Sequence, residues 1–145
     1  MTQDEAGLGG ATRRDTAEVM ERFLELMPTD VIAAVHETTS DDLTWWFPES
    51  MARGEIWRSK DEALARLLET HKKNFEHGTM AITERRVTLV SATHGVAELD
   101  LVARTTSGKP YDNTYVFVFG FDEHGMINSI REHMDSKRTV DIMSS

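Results

Sequence analysis

The chain has no cysteine among its 145 residues. Disulfides, zinc–thiolate centres and thiol nucleophiles are therefore excluded. Positive charge is in short supply: 16 Lys and Arg stand against 25 Asp and Glu, for a net charge of −9. That balance argues against nucleic acid or an anionic membrane as partner, because phosphate binding needs clustered Lys and Arg. No apolar run approaches the roughly 20 residues of a membrane span. Met1 to Thr12 carries charges and glycines but no apolar signal-peptide core, so it reads as a loose tail and the expected location is the cytoplasm. Gly7-Leu8-Gly9-Gly10 follows no strand and is not a dinucleotide loop. No serine sits in a nucleophile-elbow sequence. His36, His77 and His94 lack metal-ligand spacing. Neither a metal nor a cofactor is expected.

What remains is ordinary globular material, 28% charged and 39% hydrophobic. The length suits one domain over residues 13–145, with a core and room for a small-molecule cavity. Repeats, low-complexity stretches and interdomain linkers are absent from the sequence. Asp15 to Met27 has an apolar stripe at helical spacing (Val19, Met20, Phe23, Leu24), and Asp15 with Glu18 fits a capping box. Pro28 ends this helix, and Thr29 or Asp30 caps a short second one. Asp41 and Asp42 break the pattern, and Leu43 to Phe47 reads as a strand that Pro48 stops. Met51 to Trp57 suits a short partner strand. Ser59 to Phe75 is the clearest helix, with a Ser59–Glu62 capping box and a stripe of Leu64, Leu67, Leu68, His71 and Phe75. His71 on that stripe reads as an edge-of-core histidine, and His124 as a turn residue.

The period then changes to alternation. Strands are expected at about 79–91, 95–105, 111–121 and 126–135, with turns at Ser107 to Pro110 and Asp122 to Gly125. Helices followed by a run of antiparallel strands give an α+β fold, a curved sheet packed by helices on one face. The strand around Tyr115, Phe117 and Phe119 is apolar on its other face too, at Val116 and Val118. A second subunit is the natural cover for that face.

Glu132 carries the strongest chemical signal. In the strand Ile127 to Asp135, alternation puts Asn128, Ile130, Glu132 and Met134 on one face and Ile127, Ser129, Arg131, His133 and Asp135 on the other. A carboxyl between Ile130 and Met134 is desolvated, and its pKa rises above the ~4.3 of a free glutamate. A carboxyl tuned toward neutrality suits proton transfer near pH 7. The bland alternative is a strand-end glutamate paired with an arginine such as Arg104.

Tyr111-Asp112-Asn113-Thr114-Tyr115, leading to Phe121-Asp122-Glu123-His124-Gly125 and then Ile130-Arg131-Glu132, resembles the NTF2-like superfamily over about residues 15–140. Similar members include steroid delta-isomerase, limonene epoxide hydrolase and the SnoaL-like polyketide cyclases. The resemblance implies a cone whose concave sheet and helices enclose an apolar pocket, and dimers through the sheet. The isomerase phenol and two acids fall at Phe23, Phe47 and Phe117, all apolar, so isomerase chemistry of that type is rejected. Against limonene epoxide hydrolase, with its Asp-Arg-Asp set, the two acids fall at Asp100 and Glu132 and the arginine at Glu98. SnoaL-like cyclases and phenazine-biosynthesis proteins of this fold also keep an acid at the Glu132 position.

On alternation alone, Leu99 and Leu101 are buried and Asp100 faces solvent. The resemblance instead points Asp100 into the pocket, where Glu98, Asp100 and Glu132 would share one cavity and one carboxyl would keep its proton. It also makes Trp45, Phe47, Tyr115, Phe117 and Met134 pocket walls, or simple core. Asn113 either orients a ligand oxygen or bonds nearby backbone. The resulting expectation is a cofactor-independent acid/base enzyme on a small hydrophobic metabolite. Glu132 and Asp100 are its catalytic residues, and epoxide opening or SnoaL-like cyclisation its reaction. A non-catalytic ligand carrier or dimeric assembly module is the alternative.

Overall fold

The computed structural model describes residues 12–51 and 56–144. The expected N-terminal tail lies outside the described residues, Thr12 apart.

Three helices form where the apolar spacing puts them. Helix α1 (Thr16–Leu26) buries Val19, Met20, Phe23 and Leu24, and its N-cap Asp15 accepts a hydrogen bond from Ala17 N at 2.9 Å. Helix α2 (Val31–Thr38) is capped by Asp30, which accepts from Ala33 N at 3.0 Å. Helix α3 (Lys60–Asn74) forms one half of the expected capping box, because Ser59 N donates to Leu43 O rather than to Glu62. Ser59 accepts from Glu62 N at 3.1 Å, and the Glu62 carboxylate accepts from Arg58 N. One residue of its stripe is corrected: Leu68 is exposed, and Ala63 and Leu67 are the buried positions.

The strands are β1 (Thr39–Trp46), β2 (Ile56–Arg58), β3 (Ala81–Val90), β4 (His94–Arg104), β5 (Pro110–Phe121) and β6 (Ile127–Met134). They form one sheet in the order β2-β1-β6-β5-β4-β3. The β1–β6 pair is parallel and the other pairs are antiparallel. Strand β1 starts earlier than expected, directly after α2, with Asp41 and Asp42 inside it and exposed. They are accommodated where the β1–β6 register shifts between Thr39 and Thr44. A helix not expected from the sequence, α4 (Ser136–Ser144), follows β6.

The sheet has two unlike faces. Along β5, Tyr111, Asn113, Tyr115, Phe117, Phe119 and Phe121 are buried in strict alternation. Register carries this inner face to Ala97, Leu99 and Leu101 on β4, to Ile130, Glu132 and Met134 on β6, and to Trp45 on β1. Helix α1 seals it. The Phe23 ring meets Phe119, Trp45 and Phe117 edge-on at 5.3, 6.1 and 6.3 Å. Burying a side chain of that size contributes about 1.5–3 kcal/mol. Alternation misplaces one residue. The β5–β6 register shifts between Gly120 and Phe121, so Ile127 pairs with Phe121 and turns into the core rather than facing outward with Ser129. The β5–β6 turn needs its glycine: Gly125 has φ +81°, and a Cβ there would lie 2.2 Å from the Arg14 carbonyl oxygen.

Candidate functional site

Glu132 lies on the inner face, opposite Phe117 and between Ile130 and Met134. Its Oε1 accepts a hydrogen bond of 3.0 Å from the Trp45 indole Nε1. Trp45 is only 3% exposed, and it is held by stacking on Phe47 at 6.0 Å and by Trp57 at 5.6 Å. Burial pushes the Glu132 pKa up to about 7. The indole bond pulls it down, but a single neutral donor does not replace the lost hydration. Glu132, Phe47 and Met134 keep partial exposure, so the carboxyl is set at the border of the apolar interior rather than sealed inside it. The alternative ion pair does not form: Arg104 instead approaches Glu76 at 3.8 Å and donates to Gly108 O at 3.1 Å.

The expected placement of Asp100 and Glu98 in the pocket is corrected. Both sit on the outer face, because Asp100 pairs with Thr114 and Glu98 with Val116, one residue out of phase with the buried Leu99 and Leu101. Asp100 takes two hydrogen bonds from the Arg86 guanidinium, of 2.7 and 2.6 Å, and a third of 2.8 Å from Thr114 Oγ1. These hold its carboxyl down to about 2. Glu98 lies 3.4 Å from the same guanidinium. Plain alternation reads Asp100 correctly, and the spacing-based family correspondence does not.

The remaining expected residues fall on the inner face. Tyr115, Phe117 and Phe119 stack in a row with centroids 5.9 and 6.0 Å apart. Phe23 and Phe117 face each other as an apolar pair, so no phenol or carboxyl stands there. Asn113 is 6% exposed, and its amide donates to Asp135 O and to Thr139 Oγ1, both at 2.9 Å. Three neighbours escaped sequence reasoning: Trp57, Tyr111 and Thr139. Parity with Asn113 and Tyr115 marks Tyr111. Thr139 had no signal, because it belongs to the unexpected α4.

Two open clefts lie elsewhere. One of about 530 Å³ separates α2 from α3 and is lined by Ile32, Leu67, Leu68, His71, Phe75 and Met80. Burial there pushes the His71 pKa down. A shallower groove of about 450 Å³ runs between Pro28 and the Met80–Arg85 stretch. Among the described residues, no three His, Asp or Glu side chains gather into a cation site. Nor, among the described residues, is any helix long and apolar enough to cross a membrane.

This architecture recurs in solved structures. An NTF2-like protein of unknown function from Burkholderia pseudomallei superposes with a TM-score of 0.78 at 15% identity, covering 90% of this chain and 98% of the other. A phenazine biosynthesis-related protein from Pseudomonas aeruginosa gives 0.74 at 17% identity, over 89% and 80%. A protein described as a SnoaL-like polyketide cyclase from Jannaschia gives 0.73 at 15% identity, over 94% and 99%. These identities speak to the fold. No curated protein sequence matches the chain. A family model for the SnoaL-like domain matches residues 20–130. That span is most of the chain, and with the α+β fold just described it establishes that this protein belongs to the SnoaL-like domain family.

Proposed function

We propose that the protein is an acid/base enzyme acting on a small hydrophobic carbonyl metabolite, with Glu132 as the group that moves the proton. One observation carries this reading: a carboxyl on the inner face of the sheet, pushed up to about 7 by burial and anchored by Trp45. Such a group exists in useful amounts as both acid and base near neutrality. With Asp100 on the outer face, two-carboxylate hydrolysis of an epoxide loses its second acid. An aldol-type cyclisation needs only one. The Glu132 carboxylate takes a carbon-bound proton, the enolate carbon attacks a second carbonyl within the molecule, and a C–C bond forms as that carbonyl becomes an alkoxide. The alkoxide then recovers the proton from Glu132, so the product is an isomer of the substrate and the enzyme is regenerated.

Glu132→Gln should lower turnover of a cyclisable β-dicarbonyl substrate by about 10²-fold or more with folding retained. Undiminished turnover in that variant would remove the assignment. A second reading is a ligand carrier, favoured by the packing of Trp45, Phe47 and Trp57 on one another beside the carboxyl. A carrier gains melting temperature with an apolar carbonyl ligand and turns nothing over.

The reading includes a homodimer. Val96, Val116 and Val118 are half-buried on the outer face, beside exposed Val87 and Leu89. A second copy covers that patch, and a solution mass of one chain rules it out.

A further inference from the structure

The outer face of the sheet separates its charges by sign. Register lays the side chains of this face out in rows across the strands. One row runs Leu89, Val96, Val118, Arg131 and Trp46, from β3 to β1. The next runs Val87, Glu98, Val116 and His133. Beyond it, Glu84 stands beside Asp100. The middle of the face, on β5, is therefore apolar at Val116 and Val118. On its β3–β4 side, three carboxylates (Glu84, Glu98 and Asp100) lie within 3.9 Å of one guanidinium, that of Arg86. Acid is in excess there. On the β6 side stand Arg131 and His133, and neither forms an ion pair among the described residues.

An indole holds Arg131 instead. Its guanidinium carbon lies 4.1 Å from the centre of the Trp46 ring, and the His133 ring packs on the same indole with centroids 5.0 Å apart. Stacking uses the flat face of a guanidinium and leaves its N–H edge able to donate. Arg131 is exposed, so that edge is open to an anion from outside the chain. A cation already fixed in place loses little freedom on meeting one.

Two copies of a chain with net charge −9 repel each other, so the orientation in which they meet matters. The two-fold axis of such a pair lies in the plane between the two faces. An axis across the strands would set β4 on β4 and β6 on β6, acid on acid and base on base. An axis along β5, between sheets aligned to within about 30°, sets β6 of each copy over β4 of the other. Val116 and Val118 then meet their own counterparts, and His133 comes opposite Glu98. We infer that two copies associate in this second way, with Arg131 and His133 of each set on Glu98 of the other. This rests on the homodimer reading and on nothing proposed for Glu132. The valines supply the burial, and the crossed charges select the orientation.

Sedimentation equilibrium of the full-length chain tests it, with circular dichroism to confirm folding of each variant. Arg131→Glu sets acid against acid at two symmetry-related places and should raise the dimer Kd about tenfold or more. Glu98→Arg should do the same from the opposite side. The double variant restores the crossed pairs with their signs exchanged, and its Kd should return toward the wild-type value. A dimeric wild type whose Kd neither single reversal changes overturns the inference and leaves the homodimer standing. Two weakened single variants with no recovery in the double overturn it as well. A wild type that sediments as one chain removes the homodimer reading, and this inference with it. Should a reversal variant not fold, sodium chloride decides. Crossed charges are screened by salt, so the wild-type Kd should rise severalfold between about 50 mM and about 500 mM. A Kd that holds or falls over that range overturns the inference.

Discussion

Glu132 and Asp100 are both carboxylates on neighbouring parts of one sheet, and the two faces of that sheet treat them oppositely. The inner face gives Glu132 one neutral donor and apolar walls, and its pKa rises to about 7. The outer face gives Asp100 a guanidinium with two bonds and a hydroxyl with a third, and its pKa falls to about 2. Residue type alone therefore says little about acid/base capacity. The parity of the strand position, and what stands across from it, decide which carboxyl is pushed toward neutrality and which holds a charge.

The contrast should be widest in turnover. Glu132→Gln is expected to lose about 10²-fold or more, while Asp100→Asn stays at the wild-type rate. Equal losses in the two variants would erase the distinction between the faces.

Stability against pH comes next. Glu132 shifts from its ordinary 4.5 to about 7, so the folded state binds more protons than the unfolded chain between those values. Stability therefore falls as pH rises through that window and is lower by about 3 kcal/mol above it. Glu132→Gln removes the burden while its amide oxygen can still accept from Trp45. At pH 8 it should melt several degrees higher than wild type, and at pH 4 almost equally. A variant no more stable at pH 8 would mean that the carboxyl is better hydrated than its surroundings suggest.

Asp100 behaves in the opposite sense. Its shift from 3.8 down to about 2 gives a stabilising contribution present above pH 4 and lost as pH falls through 2. Arg86→Gln should flatten that acid limb in melting curves taken between pH 2 and 5, with a modest effect at pH 7 because the pair is surface-screened. The smallest effect belongs to Thr114→Val, which removes only the third bond. It should move the Asp100 titration upward, measured by carboxyl NMR, and leave the melting temperature nearly unchanged.

The same comparison shows what was legible in the sequence. Periodicity and caps located three helices and the strands, because Phe23, Leu67, Leu99 and Phe119 follow from elementary burial. Alternation also found the environment of Glu132. It failed at Ile127, where a register shift turns a side chain over, and a bulge leaves no mark in residue type. The correspondence by spacing failed at Asp100, since one residue of offset exchanges the faces. Helix α4 was missed because its amphipathic pattern is short and polar, and with it went Thr139, which accepts from the Asn113 amide. The bond between the Tyr111 and Thr139 hydroxyls joins residues far apart in sequence, which only the folded chain brings together.

The bond from Trp45 to Glu132 has an optical consequence. An indole is the chain's brightest fluorophore, and here its N–H meets a group that changes charge near neutrality. Emission from Trp45 should therefore follow the ionisation of Glu132, with a midpoint near pH 7 that disappears in Trp45→Phe. The protein thus carries its own indicator dye for the ionisation of Glu132, readable without any substrate.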